Sequence, residues 1–179
     1  MSPEYDSSPH HTLRLVLGDQ LNRRHSWFSD RDPGIVYLMA ELRQETDYVR
    51  HHVQKLCAFF AAMREFAEGL LADGHRVLYL DLDETSKYSN LQELVKVLCD
   101  ANAVSRFEYQ APDEYRLRQQ LRGLGLADSI EVREYGSEHF LLRREELRDY
   151  IEPARHNRME TFYRKMRRRF GWLMDGDQS

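Results

Sequence analysis

Five short strand-like runs interleaved with segments of helical periodicity leave this 179-residue chain few folds to choose from. The runs are "LRLVL" (13–17), "IVYLMA" (35–40), "RVLYLDL" (76–82), "RFEYQ" (106–110) and "SIEVREY" (129–135). Between the second and third, Val49, Val53, Leu56, Phe60, Met63, Ala67 and Leu70 recur at spacings of three and four. That spacing predicts a long amphipathic helix capped by Thr46 or Asp47 and stopped near Gly74, roughly 35–40 Å long. "SNLQELVKVLCDAN" predicts a second helix with Ser89 or Asn90 as its cap, and "PDEYRLRQQLRGLG" a third with Pro112 in its first turn. Strands that alternate with helices pair through crossovers, so the expected class is α/β: about five mainly parallel strands covered by helices on both faces. The expected parts are a lead-in (1–12), an α/β domain (13–150) and a basic helical segment (151–179).

A chain that is 41% apolar and 31% charged has material for both a core and a soluble surface. Its net charge of −4 gives no general affinity for nucleic acid, so charge must be read locally. No apolar run approaches the roughly 20 residues that span a bilayer, and the first residues lack the pattern of a secretory signal. Cytoplasmic location, no membrane partner, and Cys57 and Cys99 as reduced core thiols are the matching expectations.

The stretch "LVLGDQL" runs an apolar strand straight into Gly18, Asp19 and Gln20. In an open parallel sheet, ligands bind beyond the carboxyl ends of the strands. If strands one and two run parallel, that edge carries Asp19, Gln20, Glu45 and Tyr48, with Leu21 and Met39 to cover the faces of a planar polar heterocycle. The simpler alternative is a turn at Gly18–Asp19 with the carboxylate capping the backbone. No GxGxxG or GxxxxGK[ST] series is present, which disfavours dinucleotide and Walker-type phosphate binding. Adjacent His51 and His52 point about 100° apart on a helix and make no metal pair. "DLDE" (81–84) reads as a solvated loop in preference to a Mg²⁺ site. No HExxH, CxxC or GxSxG signature appears.

Between 155 and 174, Arg155, Arg158, Arg164, Lys165, Arg167, Arg168 and Arg169 stand against a single acid, Glu160, with an apolar stripe of Met159, Phe162, Tyr163 and Met166. Three readings stay open: a solvated surface helix, a phosphate-binding face, or a docking surface for another domain.

Taken together, "LVLGDQL", "MAELRQETDYVRHHVQKLCAFFAAMREFAEGL", "GHRVLYLDLD" and "YRKMRRRFGWLMDGDQ" resemble the photolyase-related branch of the cryptochrome/photolyase family. This is the bacterial branch whose full-length members carry an iron–sulfur cluster. The resemblance implies a Rossmann-like amino-terminal domain that holds an antenna chromophore, 6,7-dimethyl-8-ribityllumazine. Excitation energy would pass to FAD in a helical carboxyl-terminal domain, which repairs a pyrimidine photoproduct in DNA or signals. The family's pocket acids fall on Asp19 and Glu45, with Gly18, Gln20, Leu21, Met39 and Tyr48 nearby. Ala40 takes a position that is cysteine in some relatives, and Phe59 one that faces the chromophore. Arg164, Lys165, Arg167, Arg168 and Arg169 would serve docking or DNA contact.

The FAD domain and the cluster cysteines are not among these residues, which implies a cut-out of a longer protein or a split gene product. Alone it would be a non-catalytic, light-harvesting part, monomeric or weakly dimeric. Its implied partners are the FAD domain and, through the full-length parent, DNA. The rival readings are an autonomous nucleotide-binding enzyme or regulator, and a DNA- or partner-binding module acting through the arginine-rich helix.

Overall fold

The computed structural model describes residues 11–43 and 51–174. Strands Thr12–Leu15 (β1), Ile35–Ala40 (β2), Arg76–Leu80 (β3), Arg106–Gln110 (β4) and Glu131–Tyr135 (β5) form one sheet. Its order is β3-β2-β1-β4-β5 and every pairing is parallel. The helices are Val53–Ala72 (α1), Leu82–Thr85 (α2), Leu91–Ala101 (α3), Tyr115–Arg122 (α4) and Met159–Phe170 (α5). This is the expected Rossmann-like α/β architecture.

Alternation along the strands divides the core. Leu13, Leu15, Val36, Leu38, Phe107 and Tyr109 pack under Leu91, Leu94 and Val95 of α3 and Leu117 and Leu121 of α4. On the other face, Val16, Tyr37 and Met39 lie under Met63, Phe66, Ala67 and Leu70 of α1, with Trp27 of a 3₁₀ turn (Ser26–Phe28) beside them. Among the described residues, no helix is long and apolar enough to cross a membrane.

Element ends differ from expectation for local reasons. β1 stops at Leu15 because the Leu17 amide leaves the ladder and donates to Gln20 Oε1 at 3.1 Å. β3 stops at Leu80 because Asp81 caps α2 in a capping box: Asp81 Oδ1 accepts from the Asp83 and Glu84 amides, and Glu84 Oε2 from the Asp81 amide. The "DLDE" carboxylates thus include two helix caps, where a solvated loop was expected. α1 opens on His52, whose Nδ1 accepts from the Gln54 amide; Thr46 and Asp47 lie outside the described residues. Cys57, expected in the core, is exposed on α1, whereas Cys99 is buried and its thiol is pushed up to about 12 by lost hydration.

α1 runs roughly 30 Å, against about 17–20 Å for strands of five or six residues. Its carboxyl-terminal half is packed on the sheet, while Val53, near its start, is 65% exposed. The amino-terminal half thus overhangs the carboxyl edge of the sheet.

The chain divides into two compact units, Met1–His139 and Phe140–Ser179. In the second, "REELRDYI" carries a 3₁₀ turn, Glu145–Asp149. α5 closes on Gly171 at φ 64°, a left-handed cap that suits glycine. Arg169 ties α5 to that turn through Glu146 at 2.6 Å and the Tyr150 hydroxyl at 3.1 Å.

Candidate ligand-binding crevice

Sheet connections run outward from β1 through β2 to β3, then return to β4 on the other side. The reversal lies between β1 and β4, and their carboxyl ends diverge there. An open cavity of about 490 Å³ occupies this edge, lined by Gly18, Asp19, Leu21, Asn22, Glu138 and His139.

Its β1 side is a turn. Gln20 donates its amide to the Leu17 carbonyl at 2.9 Å, which sets Gly18 and Asp19 at the turn's centre. Gly18 lies close under α1, where an added methyl would meet the Phe59 ring and the Met63 sulfur and make them shift. Gln20 is 1% exposed and stitches β1 to β4: its Oε1 takes the Leu17 amide and its Nε2 donates to the Gln110 carbonyl at 3.2 Å.

The opposite wall follows β5. Glu138 adopts φ 54°, an uncommon left-handed backbone for a side chain of its kind. Its carboxylate accepts from the Ser26 amide (3.0 Å) and hydroxyl (2.6 Å). His25 Nε2 meets the Gly136 carbonyl at 3.0 Å while its Nδ1 accepts from the Trp27 amide, which makes Nε2 the donor. The loops after β1 and β5 are thereby laced together.

Electrostatics at this edge favour a neutral or cationic guest. Asp19 remains open to solvent, yet lost hydration pushes its carboxyl above the usual range. Asp113 and Glu114 push the same way, against the opposing pull of a backbone hydrogen bond and His139. His139 Nδ1 lies 3.6 Å from Asp113 Oδ2. Gln110 closes β4 at 0% exposure, and among the described residues neither its Oε1 nor its Nε2 has a partner. A buried amide without partners is rare and commonly marks a place that something else fills.

The sequence-predicted positions separate. Gly18, Asp19 and Leu21 share the cavity; Gln20 lies beside them as a structural staple. Phe59 packs on Gly18. Met39 is fully buried in the core beneath α1, and Ala40 packs with the cluster on the other face. Glu45 and Tyr48 lie outside the described residues. On α5, Arg164 pairs with Glu160 at 2.6 Å and Arg169 with Glu146, Arg167 donates to the Trp172 carbonyl, and Lys165 and Arg168 are exposed. Among the described residues, no group of three or more His, Cys, Asp or Glu is arranged to hold a metal.

Sequence reasoning missed Gln110, Asp113, Glu138 and His139, all at the carboxyl ends of β4 and β5. It also missed Glu41, a buried carboxylate just past β2. Glu41 accepts from Arg64 Nε (2.8 Å), the Tyr79 hydroxyl (2.6 Å) and the Leu82 amide (3.3 Å). Lost hydration of its own ring hydroxyl, and then the bond to Glu41, push the Tyr79 phenol up. Glu41 is thereby a joint between β2, β3 and α1.

Two comparisons with known proteins bear on the chain. A family model described as deoxyribodipyrimidine photo-lyase-related protein matches residues 14–179. A (6-4) photolyase of Agrobacterium fabrum (strain C58) is 35% identical over 167 residues, which are 93% of this chain and 33% of the relative. The chain spans about a third of that relative's length.

Proposed function

We propose, from the premise that this chain belongs to the deoxyribodipyrimidine photo-lyase-related family, that it is a light-harvesting domain. It would hold 6,7-dimethyl-8-ribityllumazine at the carboxyl edge of β1 and β4. When bound, that group supplies near-ultraviolet and blue absorption and passes excitation to FAD carried outside these residues, for repair of a DNA photoproduct or for signalling. A cytoplasmic location belongs to the same proposal.

The carrying observation is the crevice's charge. Asp19 and Glu138 line it, and lost hydration first, then the like charges of Asp113 and Glu114, raise the Asp19 carboxyl. Such a rim repels phosphate. It suits a ring system with carbonyl and imino groups on a hydroxylated, uncharged tail. This supports a ribityl-lumazine over ATP, NAD or FMN, and weighs against an autonomous nucleotide enzyme.

The residues present fit the group. Asp19 would hydrogen-bond a ring or ribityl group, the unbonded Gln110 amide at the end of β4 would offer a donor and an acceptor, and Leu21 would bound the ring, with Phe59 packed behind Gly18. Glu45 and Tyr48 complete the set by resemblance. These residues bind, orient and exclude water; no proton transfer is asked of them.

The test is retention. The purified chain, mixed with the lumazine and passed through gel filtration, is expected to carry its near-ultraviolet and visible absorbance. Asp19→Ala and Glu45→Ala are expected to lose it, and ATP, NAD and FMN to give no thermal stabilisation. Equal retention by both variants would overturn the assignment.

A further inference from the structure

The two outer strands of the sheet are guarded unequally. β5 reads "EVREY", and its Glu131 and Glu134 hold Arg106 at 2.8 Å and Arg122 at 2.9 Å in exposed ion pairs. Charge of this kind discourages edge pairing. β3 reads "RVLYL", with neither charge nor proline after its first residue.

Its backbone directions are fixed. The Glu41 amide donates to the Leu80 carbonyl at 2.9 Å, so Leu80 turns its backbone toward β2. By the two-residue repeat, Leu78 and Arg76 do likewise. Val77 and Tyr79 therefore turn N–H and C=O outward, where no described residue bonds to them. Beside this edge, on the α3 side, lies a groove of about 270 Å³ lined by Leu78, Leu80, Glu84, Lys87, Tyr88 and Leu98.

We propose that the β3 edge and its groove form a self-association surface on which a second copy of this chain pairs β3 antiparallel, about a two-fold axis at Leu78. Val77 of one copy then faces Tyr79 of the other, and the outward groups of both make four hydrogen bonds with none left over. The two Leu78 residues form the non-hydrogen-bonded pair between them, with side chains directed along the grooves. Arg76 of one copy faces Leu80 of the other, at the groove end that carries Glu84. This antiparallel arrangement brings the basic end of each edge to the acidic end of its mate, whereas parallel stacking would place like ends together. The contact is isologous and closes on itself, giving a dimer whose sheet runs through ten strands (two of five).

Sedimentation of the chain across micromolar to submillimolar concentrations is expected to show a monomer–dimer equilibrium. Val77→Pro removes an outward donor and leaves the β2 ladder intact, so it is expected to shift the chain to monomer with its circular dichroism retained. Should that variant fold poorly, cysteine pairing decides. With exposed Cys57 replaced by Ser, Leu78→Cys places two thiols across the axis on residues about 4.5 Å apart at Cα, within disulfide reach. Val77→Cys places them two residues out of register, about 8 Å apart and on the other face. Mild oxidation is expected to yield covalent dimer from the first and none from the second. A chain that stays monomeric throughout, or equal cross-linking at 77 and 78, would overturn the proposal.

Discussion

Glu108 and Gln110 stand two residues apart on one face of β4, both buried, and the fold treats them in opposite ways. Glu108 is bonded at both oxygens: Arg14 Nε donates to its Oε2 at 2.7 Å and the Tyr135 hydroxyl to its Oε1 at 3.1 Å. Arg14 in turn reaches the Tyr37 hydroxyl at 3.2 Å and lies 4.9 Å over the Trp27 ring. Gln110, one step nearer the carboxyl end of the strand, has an amide with no hydrogen-bond partner among the described residues. A buried polar side chain that is fully bonded specifies the fold; one left open at a switch point is arranged for something that arrives later. The boundary between scaffold and site therefore runs between these two residues.

The sharpest way to break that comparison is Glu108→Ala. Removing one member of a buried, hydrogen-bonded pair leaves the other uncompensated, at a cost near the lower end of the 3–5 kcal/mol range because Arg14 keeps some access to water. Urea denaturation is expected to show a loss of about 3 kcal/mol. A loss below about 1 kcal/mol would mean that the network contributes little and that the contrast with Gln110 is only one of appearance.

Gln110→Leu is expected to do the reverse. Deleting a buried, unbonded amide while keeping its volume leaves the ligand-free chain as stable as before, or more stable by about 1–2 kcal/mol. The same change is expected to weaken lumazine retention in the gel-filtration assay. Opposite signs in the free and loaded chain would mark Gln110 as part of the site. A destabilised free chain would place it with Glu108 in the scaffold.

How much of this was legible in the residues follows from how far each signal reaches along the chain. The runs at 35–40 and 106–110 match β2 and β4 because a buried strand writes its own alternation or apolar run locally. Asp19 was noticed because a carboxylate that ends an apolar strand is a local anomaly. Gln110, Glu138 and His139 were not, since each becomes notable only once β4 is known to lie beside β1, and strand order is a long-range property. The expectation drew the site from the ends of the first two strands, whereas the cavity draws on the loops after β1 and β5. Cys57 was placed inside because helical periodicity does not register where a helix outruns the sheet beneath it. Glu41 escaped because its partners come from three separate elements.

The smallest expected effect isolates Asp19 itself. Its carboxyl is held above the ordinary 3.8 by lost hydration first, with Asp113 and Glu114 adding to it. A folded-state pKa above the unfolded one means that the native chain binds the extra proton, so this contribution to stability is fully present below pH 3.8 and is lost as pH rises through the folded value. Asp19→Asn keeps the shape and removes the titration. Compared with the parent chain, it is expected to be equally stable in acid and relatively more stable at neutral pH, as read from paired urea titrations at each pH. Full occupancy by a hydrogen-bonding guest should shrink the difference, because the guest favours the protonated carboxyl that the Asn amide only imitates. A parent chain that gains on the variant as pH rises would place Asp19 among the satisfied carboxylates and move the edge of the site away from β1.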